Sequence, residues 1–483
     1  MFESEFLTSS AESKQSYRQL VSQAAQLVCE CYPAQAYSGA GVSDLTALIN
    51  GDFLPEHGLS SDQIVTTLRS VISNSVAVSD VGTIAHLHCP PLLASLAAEA
   101  VIGALNQSMD SFDQAPMATI VEQKLVSWLC AQAGLPATAD GTFTTGGSQS
   151  NYMGLLLARD AFLKKQWNWP AQKRGLHPEA GRLRILCSEA AHFTVEKSAA
   201  QLGLGTDAVV RIACDDQFRM SVLALRQEIH RLQTQDLLPM AIVATAGTTD
   251  FGSIDPLADI TGIARQTGAW VHVDAAYGGA LLFSPRQRSR LAGLECADSV
   301  SIDFHKLFWQ PIPCSVFLLA DAQQFDLIKM HADYLNPEAH EKDGIPDLVT
   351  KSVLTSRRFD ALKLWISFQT LGQKNLAQMI DRTISLANHA AEVIRRNPRL
   401  ELMCEPQLST VVFRLVSSRG ALESDQLNAR VRQQLFDKGR AVIGHTRVRN
   451  HQCLKFTCMN PAVAEAQIES LIEAILQAAN KTM

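Results

Sequence analysis

The chain lacks the features that would direct it to a membrane or to a nucleic acid. No stretch of its 483 residues approaches the about 18 to 20 apolar residues that a membrane span needs. Charged residues make up only 19% of the chain and form no basic run, and the formal net charge is −6. Neither a nucleic acid nor an anionic membrane surface is therefore an expected partner. The N-terminus contains early acids and no apolar core segment, so we expect no secretory signal.

The cysteines form neither a disulfide framework nor a metal-binding set. There are 11 of them, mostly scattered. Cys29 and Cys31 are the one close pair, and no second pair or histidine spacing accompanies them. An odd number of cysteines without a framework is typical of a reducing compartment. We therefore expect a cytoplasmic protein with no metal site.

The length is sufficient for two or three domains. Residues 12–32 and 61–72 read as amphipathic helices, and we expect an N-terminal helical segment over residues 1–95. A large α/β domain is expected over residues 96–365, followed by a smaller α+β domain over residues 366–483. That small domain is expected to begin with helices and to continue with short strands near 410–416 and 453–458 and a last helix.

Short apolar runs alternate with helical stretches in the middle of the chain. Several runs are almost continuously hydrophobic, which is typical of strands that are covered on both faces. Helices are expected between most of them, and this alternation predicts a mostly parallel α/β sheet. The predicted strands are 182–188, 208–213, 240–247, 269–276, 299–303 and 314–320, and the predicted helices include 151–166, 221–234 and 256–266.

Ligands of such a sheet bind at the carboxyl ends of its strands, and chemically suggestive residues fall there. "TTGGSQSN" (144–151) places Gly147 and Ser148 before a helix, whose free N–H groups and dipole suit a phosphate. It is not the Walker pattern, and a plain helix-capping turn explains it equally well. "VHVDAAYGG" (271–279) ends a strand in Asp274, an acid among small apolar residues that needs a cation, or else caps a helix.

Two further motifs contribute a histidine and a lysine. "SEAAHFTVEK" (188–197) places His192 after a strand, where its imidazole could stack on a planar ring or serve a structural role. "DFHK" ends another strand in Lys306. A lysine in a partly apolar site can act as a free amine and form a Schiff base with an aldehyde, although a salt-bridged lysine is the alternative.

Together these motifs fit one ligand. Pyridoxal phosphate has an aldehyde for the lysine, a ring nitrogen for the acid, a flat face for the histidine and a phosphate for the helix start. The sequence also resembles the group II pyridoxal-phosphate-dependent amino acid decarboxylases, from about residue 60 onward. The motifs that carry the resemblance occur in the same order, and they are "NQSMDSFDQAP", "TTGGSQSN", "AAHFTVEK", "ATAGTTDFGSID", "HVDAAYGG", "DFHK" and "RRFDALKLW".

The resemblance implies the type I fold of pyridoxal-phosphate-dependent transferases, with a helical N-terminal arm and a small α+β C-terminal domain. It also implies roles for particular residues. Lys306 would bind the cofactor covalently, Asp274 would pair its ring nitrogen, and His192 would stack on the ring. The other residues expected at the cofactor are Gly147, Ser148, Thr249, Ala276 and His305, with His305 also at the catalytic face.

Two positions depart from the pattern of the family. Many members have asparagine three residues before the lysine, where this chain has Asp303. Because an acid near a phosphate is unfavourable, we expect Asp303 to turn away from the site. Aromatic-acid decarboxylases also carry a loop tyrosine that reprotonates the product, and an ungapped alignment places Leu348 there. His305 and Tyr334 are the alternative proton donors.

The substrate is expected to be a basic amino acid. The resemblance is strongest to the lysine and diaminobutyrate decarboxylases of hydroxamate siderophore pathways. His88 and Asp110 stand where aromatic-substrate relatives have aromatic pocket residues, and a carboxylate at position 110 suits a distal ammonium. The first expectation is L-lysine, giving cadaverine and CO2. L-2,4-diaminobutyrate, giving 1,3-diaminopropane, and an aromatic amino acid are the alternatives.

The sequence is also compatible with other functions. An aminotransferase or an aldolase could use the same cofactor on a similar fold, and a product assay separates them from a decarboxylase. A non-catalytic paralogue is a further alternative, although Lys306, Asp274 and His192 are all present. The resemblance also implies a homodimer whose sites lie at the interface.

Overall fold

The structure, a computed structural model, describes residues 5–49 and 53–482, which fall into two compact units. The large unit comprises residues 87–388 and 404–411, and the small unit comprises the other described residues. The helices are α1 (Ala11–Cys31), α2 (Val42–Leu48), α3 (Ser61–Ser73), α4 (Leu93–Leu105), α5 (Pro116–Gln132), α6 (Gly147–Trp167), α7 (Ala171–Arg174), α8 (Thr194–Gln201), α9 (Val222–Thr234), α10 (Leu257–Thr267), α11 (Glu338–Lys342), α12 (Ala361–Arg396), α13 (Ala421–Asp437) and α14 (Glu465–Thr482). The strands are β1 (Asp140–Thr144), β2 (Leu183–Ser188), β3 (Val209–Ile212), β4 (Leu238–Thr245), β5 (Trp270–Asp274), β6 (Ser299–Asp303), β7 (Ser315–Leu319), β8 (Leu400–Leu402), β9 (Thr410–Leu415), β10 (Gly444–Val448) and β11 (His451–Thr457).

The large unit is built on a sheet of seven strands in the order β1-β7-β6-β5-β4-β2-β3. The pairs from β6 through β5, β4 and β2 to β3 are all parallel, whereas β7 runs antiparallel to both β6 and β1. The mostly parallel α/β sheet is therefore confirmed. The sequence analysis did not predict β1, whose segment "DGTFT" carries an aspartate and a glycine that disfavour a strand.

Burial on both faces explains why the central strands are so apolar. Every residue of β6 and β7 is buried, and so are seven of the eight residues of β4. Helix α6 covers one face of the sheet, where Leu155 packs in a cluster with Ile185 and Met240. Because both faces are covered, these strands lack the alternation of apolar and polar residues that a half-exposed strand shows.

A close approach between α6 and β5 depends on a glycine. A β-carbon added at Gly154 would lie 2.4 Å from Nδ1 of His272, whose side chain is completely buried. No side chain larger than hydrogen therefore fits at this point without displacing the helix from the sheet.

The small unit contains a four-stranded sheet in the order β10-β11-β9-β8, in which β8 pairs antiparallel with β9 and β10 with β11. Helices α13 and α14 belong to the same unit, and so do the N-terminal helices α1 to α3. The helical N-terminal segment and the small α+β part are thus both present. The domain bounds at residues 95 and 365 stay a prediction.

Local signals account for several helix ends. Ser10 caps α1 by accepting a hydrogen bond from the Ser13 N–H, and Ser60 and Gln63 form a capping box at the start of α3. Helix α10 ends at Gly268, whose φ of 73° is left-handed. Within residues 5–49 and 53–482, no helix combines the length and apolar character needed to cross a bilayer.

The tight packing at Gly154 gives a testable prediction. The substitution Gly154→Ala should lower the free energy of unfolding by about 1–3 kcal/mol, because the added methyl group collides with His272. Gly262→Ala, in the interior of α10, is the matched control, since nothing lies within 4 Å of its added β-carbon. It should be neutral or stabilising by about 0.5–1 kcal/mol. Urea unfolding of both variants measures the difference, and equal effects would contradict this account of the α6–β5 contact.

Candidate active site

A cavity of about 320 Å³ opens where strands of the large sheet end. Asp274 is the last residue of β5 and Asp303 the last of β6, while Thr245 ends β4. Their side chains meet there because the carboxyl ends of parallel strands lie at one edge of the sheet. The cavity is lined by Thr145, Gly146, Gly147, Ser148, Gln149, Asn151, His192, Thr245, Gly247, Thr249, Asp274, Ala276, Tyr277, Asp303, His305, Lys306 and Ile312.

The structure brings together all eight residues that the sequence analysis assigned to the cofactor. Their individual roles stay predictions, but their placement around one cavity is what a shared ligand requires. Three predicted substrate residues are not part of the lining: His88, Asp110 and Tyr334. Tyr334, which was also an alternative proton donor, is 88% exposed. Leu348, the position aligned with the loop tyrosine of the aromatic-acid decarboxylases, is 2% exposed.

The start of α6 forms one wall of the cavity. A β-carbon at Gly147 would lie 3.1 Å from Oδ2 of Asp303 and 3.3 Å from Cβ of Ala276, so glycine lets the helix start approach the ends of β5 and β6. Nε2 of Gln149 and Oγ1 of Thr245 are buried and have no hydrogen-bond partner. Buried polar atoms are almost always satisfied, so these two atoms indicate a polar ligand in the cavity.

Asp274 is a buried carboxylate that only neutral groups contact. Its Oδ1 accepts a hydrogen bond from the Ala276 N–H at 3.1 Å, and its Oδ2 accepts one from Nδ2 of Asn151 at 2.8 Å. The residue is 7% exposed and makes no salt bridge within the part of the chain that the structure describes. A buried carboxylate without a cation is costly. A protonated ring nitrogen of a ligand would supply the missing positive charge.

His192 lies in the loop between β2 and α8, with Nδ1 2.9 Å from Oγ1 of Thr194. Burial lowers the pKa of His192, although the carboxylates of Asp274 and Asp303 act in the opposite direction. The imidazole is therefore favoured in its neutral form at neutral pH. A neutral, flat ring beside the cavity suits the predicted stacking contact.

Lys306 is paired with Asp303, and the expectation that Asp303 turns away from the site is wrong. Nζ of Lys306 lies 2.9 Å from Oδ2 of Asp303. Asp303 is 3% exposed, and its Oδ1 accepts a hydrogen bond from Oγ of Ser315 at 2.6 Å. Burial alone would raise the pKa of Asp303, but the positive charge of Lys306 and the hydrogen bond from Ser315 lower it. The attraction of Asp303 to a lysine three residues away in the following turn outweighs the expected repulsion from a phosphate.

His305 is oriented by the backbone. Its Nδ1 lies 2.9 Å from the carbonyl oxygen of Cys314, an atom that can only accept, so Nδ1 carries a proton. Nε2 lies 3.6 Å from Oδ2 of Asp303, which is beyond hydrogen-bonding distance. Burial lowers the pKa of His305, and Nε2 is therefore an unprotonated nitrogen at the cavity edge.

The loop after Lys306 is held by a buried lysine of α12. Lys363 is fully buried, and its Nζ lies 2.8 Å from Asp360 and 3.1 Å from Glu99. The same ammonium donates hydrogen bonds to the carbonyl oxygens of Pro311 and Pro313. Its two carboxylate partners compensate its charge, so the cluster fixes the loop that carries Ile312 into the cavity wall.

The cavity residues fit pyridoxal phosphate. Asp274 lacks a cation, the α6 start offers backbone N–H groups beside unsatisfied polar atoms, and Lys306 supplies an amine. Over the described ranges, no three His, Cys, Asp or Glu side chains cluster in a way that could hold a metal ion. An organic cofactor bound at the strand ends of an α/β sheet is the arrangement seen in enzymes that use pyridoxal phosphate, and the large unit belongs to that class.

Comparison with known proteins identifies the family. The pyridoxal-dependent decarboxylase conserved domain matches residues 44–416, and the chain belongs to this family. It is 40% identical to an L-2,4-diaminobutyrate decarboxylase of Rhizobium meliloti (strain 1021), over 99% of this chain and 94% of that protein. A second L-2,4-diaminobutyrate decarboxylase, from Acinetobacter baumannii, is also 40% identical, over 92% of this chain and 89% of that protein.

A solved structure shows the same fold. It is the glutamate decarboxylase domain of diaminobutyrate-pyruvate transaminase and L-2,4-diaminobutyrate decarboxylase from Vibrio parahaemolyticus. The TM-score is 0.92 at 39% sequence identity, and the match covers 99% of both chains. The protein is thus a pyridoxal phosphate-dependent amino acid decarboxylase.

The pairing of Lys306 with Asp303 predicts coupled effects on stability. In cofactor-free protein at pH 7, Lys306→Ala should lower the free energy of unfolding by about 1–3 kcal/mol, because it leaves a buried carboxylate without its cation. The double substitution Lys306→Ala/Asp303→Asn should recover at least half of that loss.

Urea unfolding at pH 7 is the appropriate measurement for this pair. The pKa of Asp303 is lowered in the folded protein, so its contribution is complete above the ordinary carboxyl pKa of about 4 and is lost as the pH falls further. Strictly additive losses in the two single variants and the double variant would contradict the pairing.

Proposed function

We propose that this enzyme decarboxylates L-2,4-diaminobutyrate to 1,3-diaminopropane and CO2. The observation that carries the proposal is the 40% identity to two L-2,4-diaminobutyrate decarboxylases along nearly the whole chain. L-lysine, with a role in siderophore biosynthesis, was the first expectation from the sequence. None of the relatives described above is a lysine decarboxylase, so the comparisons favour the alternative.

The surroundings of Asp110 support a substrate with a second amino group. Asp110 is 6% exposed, and its Oδ1 accepts a hydrogen bond from the neighbouring Ser111 N–H at 2.9 Å. It makes no salt bridge to another residue in the ranges that the structure describes. A buried carboxylate of this kind attracts an ammonium group and repels a carboxylate. It therefore favours a diamino acid over an acidic one.

Each of the cavity residues would have a separate role in the reaction. Pyridoxal phosphate, when bound, withdraws the electron pair that departing CO2 leaves at the α-carbon. Lys306 would bind the cofactor and Asp274 would pair its ring nitrogen, while Ser148 and the start of α6 would hold its phosphate. Asp303, 2.9 Å from Nζ of Lys306, would hold this side chain in place when it is not bound to the cofactor.

We further propose that the enzyme is a homodimer in the cytoplasm. Helix α4 exposes Leu93 (84%) and Leu105 (58%), and α5 exposes Met117 (64%). Such apolar side chains on neighbouring segments of the chain are typical of a surface that a second subunit covers. The cytoplasmic location is based on the 11 cysteines, all of which are free thiols, as is typical of a reducing compartment.

The substrate is tested by competition. Purified enzyme with pyridoxal phosphate is given equal amounts of diaminobutyrate, ornithine, lysine, glutamate and an aromatic amino acid, and the amines formed are identified by mass spectrometry. Diaminopropane should be the main product. Cadaverine as the main product would show that lysine is the preferred substrate. A keto acid without CO2 would indicate a transaminase instead.

Asp110 should determine the affinity for the distal amine. Asp110→Asn should raise KM for diaminobutyrate about tenfold or more, because a hydrogen bond to a charged group contributes about 1.5–3 kcal/mol. Asp207→Asn is the matched control, since it removes an exposed aspartate in the short 3-10 helix Thr206–Ala208. Its KM should stay within about twofold of the original value. A KM unchanged in Asp110→Asn would remove this residue from the substrate site.

A subunit-mixing experiment tests whether Asp110 serves the site of the second subunit. Chains with Lys306→Ala and chains with Asp110→Ala are co-refolded in equal amounts. Each variant alone should be nearly inactive at low substrate concentration. If Asp110 acts across the interface, each mixed dimer has one complete site, and about a quarter of the normal activity should return, as random pairing requires. No recovery, although mixed dimers form, would place Asp110 in the site of its own chain.

A further inference from the structure

A buried asparagine connects the acid and the histidine of the cavity. Asn151, on α6, is 2% exposed, and its side-chain amide uses its full hydrogen-bonding capacity. Nδ2 lies 2.8 Å from Oδ2 of Asp274 and 3.0 Å from Oγ1 of Thr194. Oδ1 lies 2.9 Å from Nε2 of His272 and 2.8 Å from Oγ of Ser301. The Asp274 carboxylate can only accept, so the amide nitrogen must face it, and the orientation of the amide is determined.

The amide orientation determines the proton position on His272. Oδ1 of Asn151 accepts, so Nε2 of His272 carries the proton. The other ring nitrogen lies 2.8 Å from Oγ of Ser299, which accepts a hydrogen bond from the indole of Trp270 at 2.9 Å and donates its own proton to Nδ1. Burial lowers the pKa of His272 to about 4, so the ring is neutral at pH 7 and every polar atom in the chain of contacts is satisfied.

The position of the proton on His192, at the cavity, is determined by its hydrogen bonds in the same way. Oγ1 of Thr194 accepts from Asn151, so its own hydroxyl proton points to Nδ1 of His192 at 2.9 Å. The Thr194 backbone N–H also approaches Nδ1, at 3.4 Å. Nδ1 is therefore an acceptor, and the proton of the neutral ring lies on Nε2.

We propose that Asn151 is a positioning residue that holds His192 as the Nε2–H tautomer, through Thr194, while it anchors the carboxylate of Asp274. The inference rests on the proposed placement of both side chains at the cofactor. One amide on α6 thus determines both the tautomer of His192 and the orientation of the Asp274 carboxylate. The Nε2–H group of His192 is kept as a donor at the cavity, and its Nδ1 is closed to a second proton.

The proposal can be separated from the effects of nearby charges. The charged groups that influence His192 are Asp274, Asp303 and Asp250, which favour its protonation, and Lys306, which opposes it. The substitution Asn151→Leu changes none of these charges. It does allow the Thr194 hydroxyl to rotate and to accept a hydrogen bond from the Nδ1–H of a doubly protonated ring. The pKa of His192 should consequently rise in this variant.

The experiment uses the full chain without cofactor or amino acid. Histidine labelled at ring Cε1 is incorporated, and the 13 ring signals are followed by NMR from pH 8 to pH 5. The signal that disappears in His192→Gln identifies His192. In Asn151→Leu its titration midpoint should rise by about one pH unit. Thr194→Val should give a similar rise, and the double variant no larger one, because both act on the same contact.

The control is another buried asparagine whose amide oxygen and nitrogen both make hydrogen bonds. Asn428, in the small unit, contacts the backbone of Leu415 and Ser424 and is completely buried. Asn428→Leu should reduce the thermal stability of the protein without moving the His192 midpoint. An unchanged midpoint in Asn151→Leu, or an equal shift in Asn428→Leu, would overturn the proposal. If Asn151→Leu does not fold, an unchanged midpoint in Thr194→Val has the same consequence. The measurement involves no substrate, so it stands independently of the proposed decarboxylation.

Discussion

The buried carboxylate of Asp274 is the constraint on which the site depends. It lies at the end of β5 with 7% exposure, and among the described residues its hydrogen-bond donors are the N–H groups of Ala276 and Asn151. Neutral donors keep a carboxylate in place without neutralising it, so the folded chain retains a negative charge that a cationic ring nitrogen can meet. Burying this charge is unfavourable, and tight packing of the surrounding core offsets the unfavourable free energy. The close approach of α6 to β5 that Gly154 permits is part of that packing.

A second buried carboxylate in the same cavity is treated differently. Asp303, at the end of β6, is paired with Lys306 at 2.9 Å. The two acids therefore differ in their charge partners: Asp303 is paired with a charge that the chain itself provides, whereas Asp274 would be paired with a charge that the proposed ligand brings. In the proposed role of Lys306, the carboxylate of Asp303 would give its side chain a defined position whenever it is not bound to the cofactor. The loop that follows is fixed separately by Lys363.

Much of the fold and of the cavity could be predicted from the sequence, for physical reasons. The central strands are apolar because both faces are covered, and the polar residues that interrupt them fall at their carboxyl ends, which the parallel sheet brings together. The position of Asp303 could not be predicted from repulsion alone, since its attraction to Lys306 depends on a turn of the chain. No sequence motif identified Asn151, because its role depends on four partners from three separate segments of the chain. Strand β1 was missed because its pairing with β7 compensates for a weak strand sequence.

The account depends most directly on Lys306 as the residue that binds the cofactor. The enzyme with pyridoxal phosphate should be reduced with borohydride, digested, and analysed by tandem mass spectrometry. The account predicts a phosphopyridoxyl group on the peptide that contains "DFHK", attached to Lys306. A label on another lysine, or a reduced enzyme without any label, would contradict it.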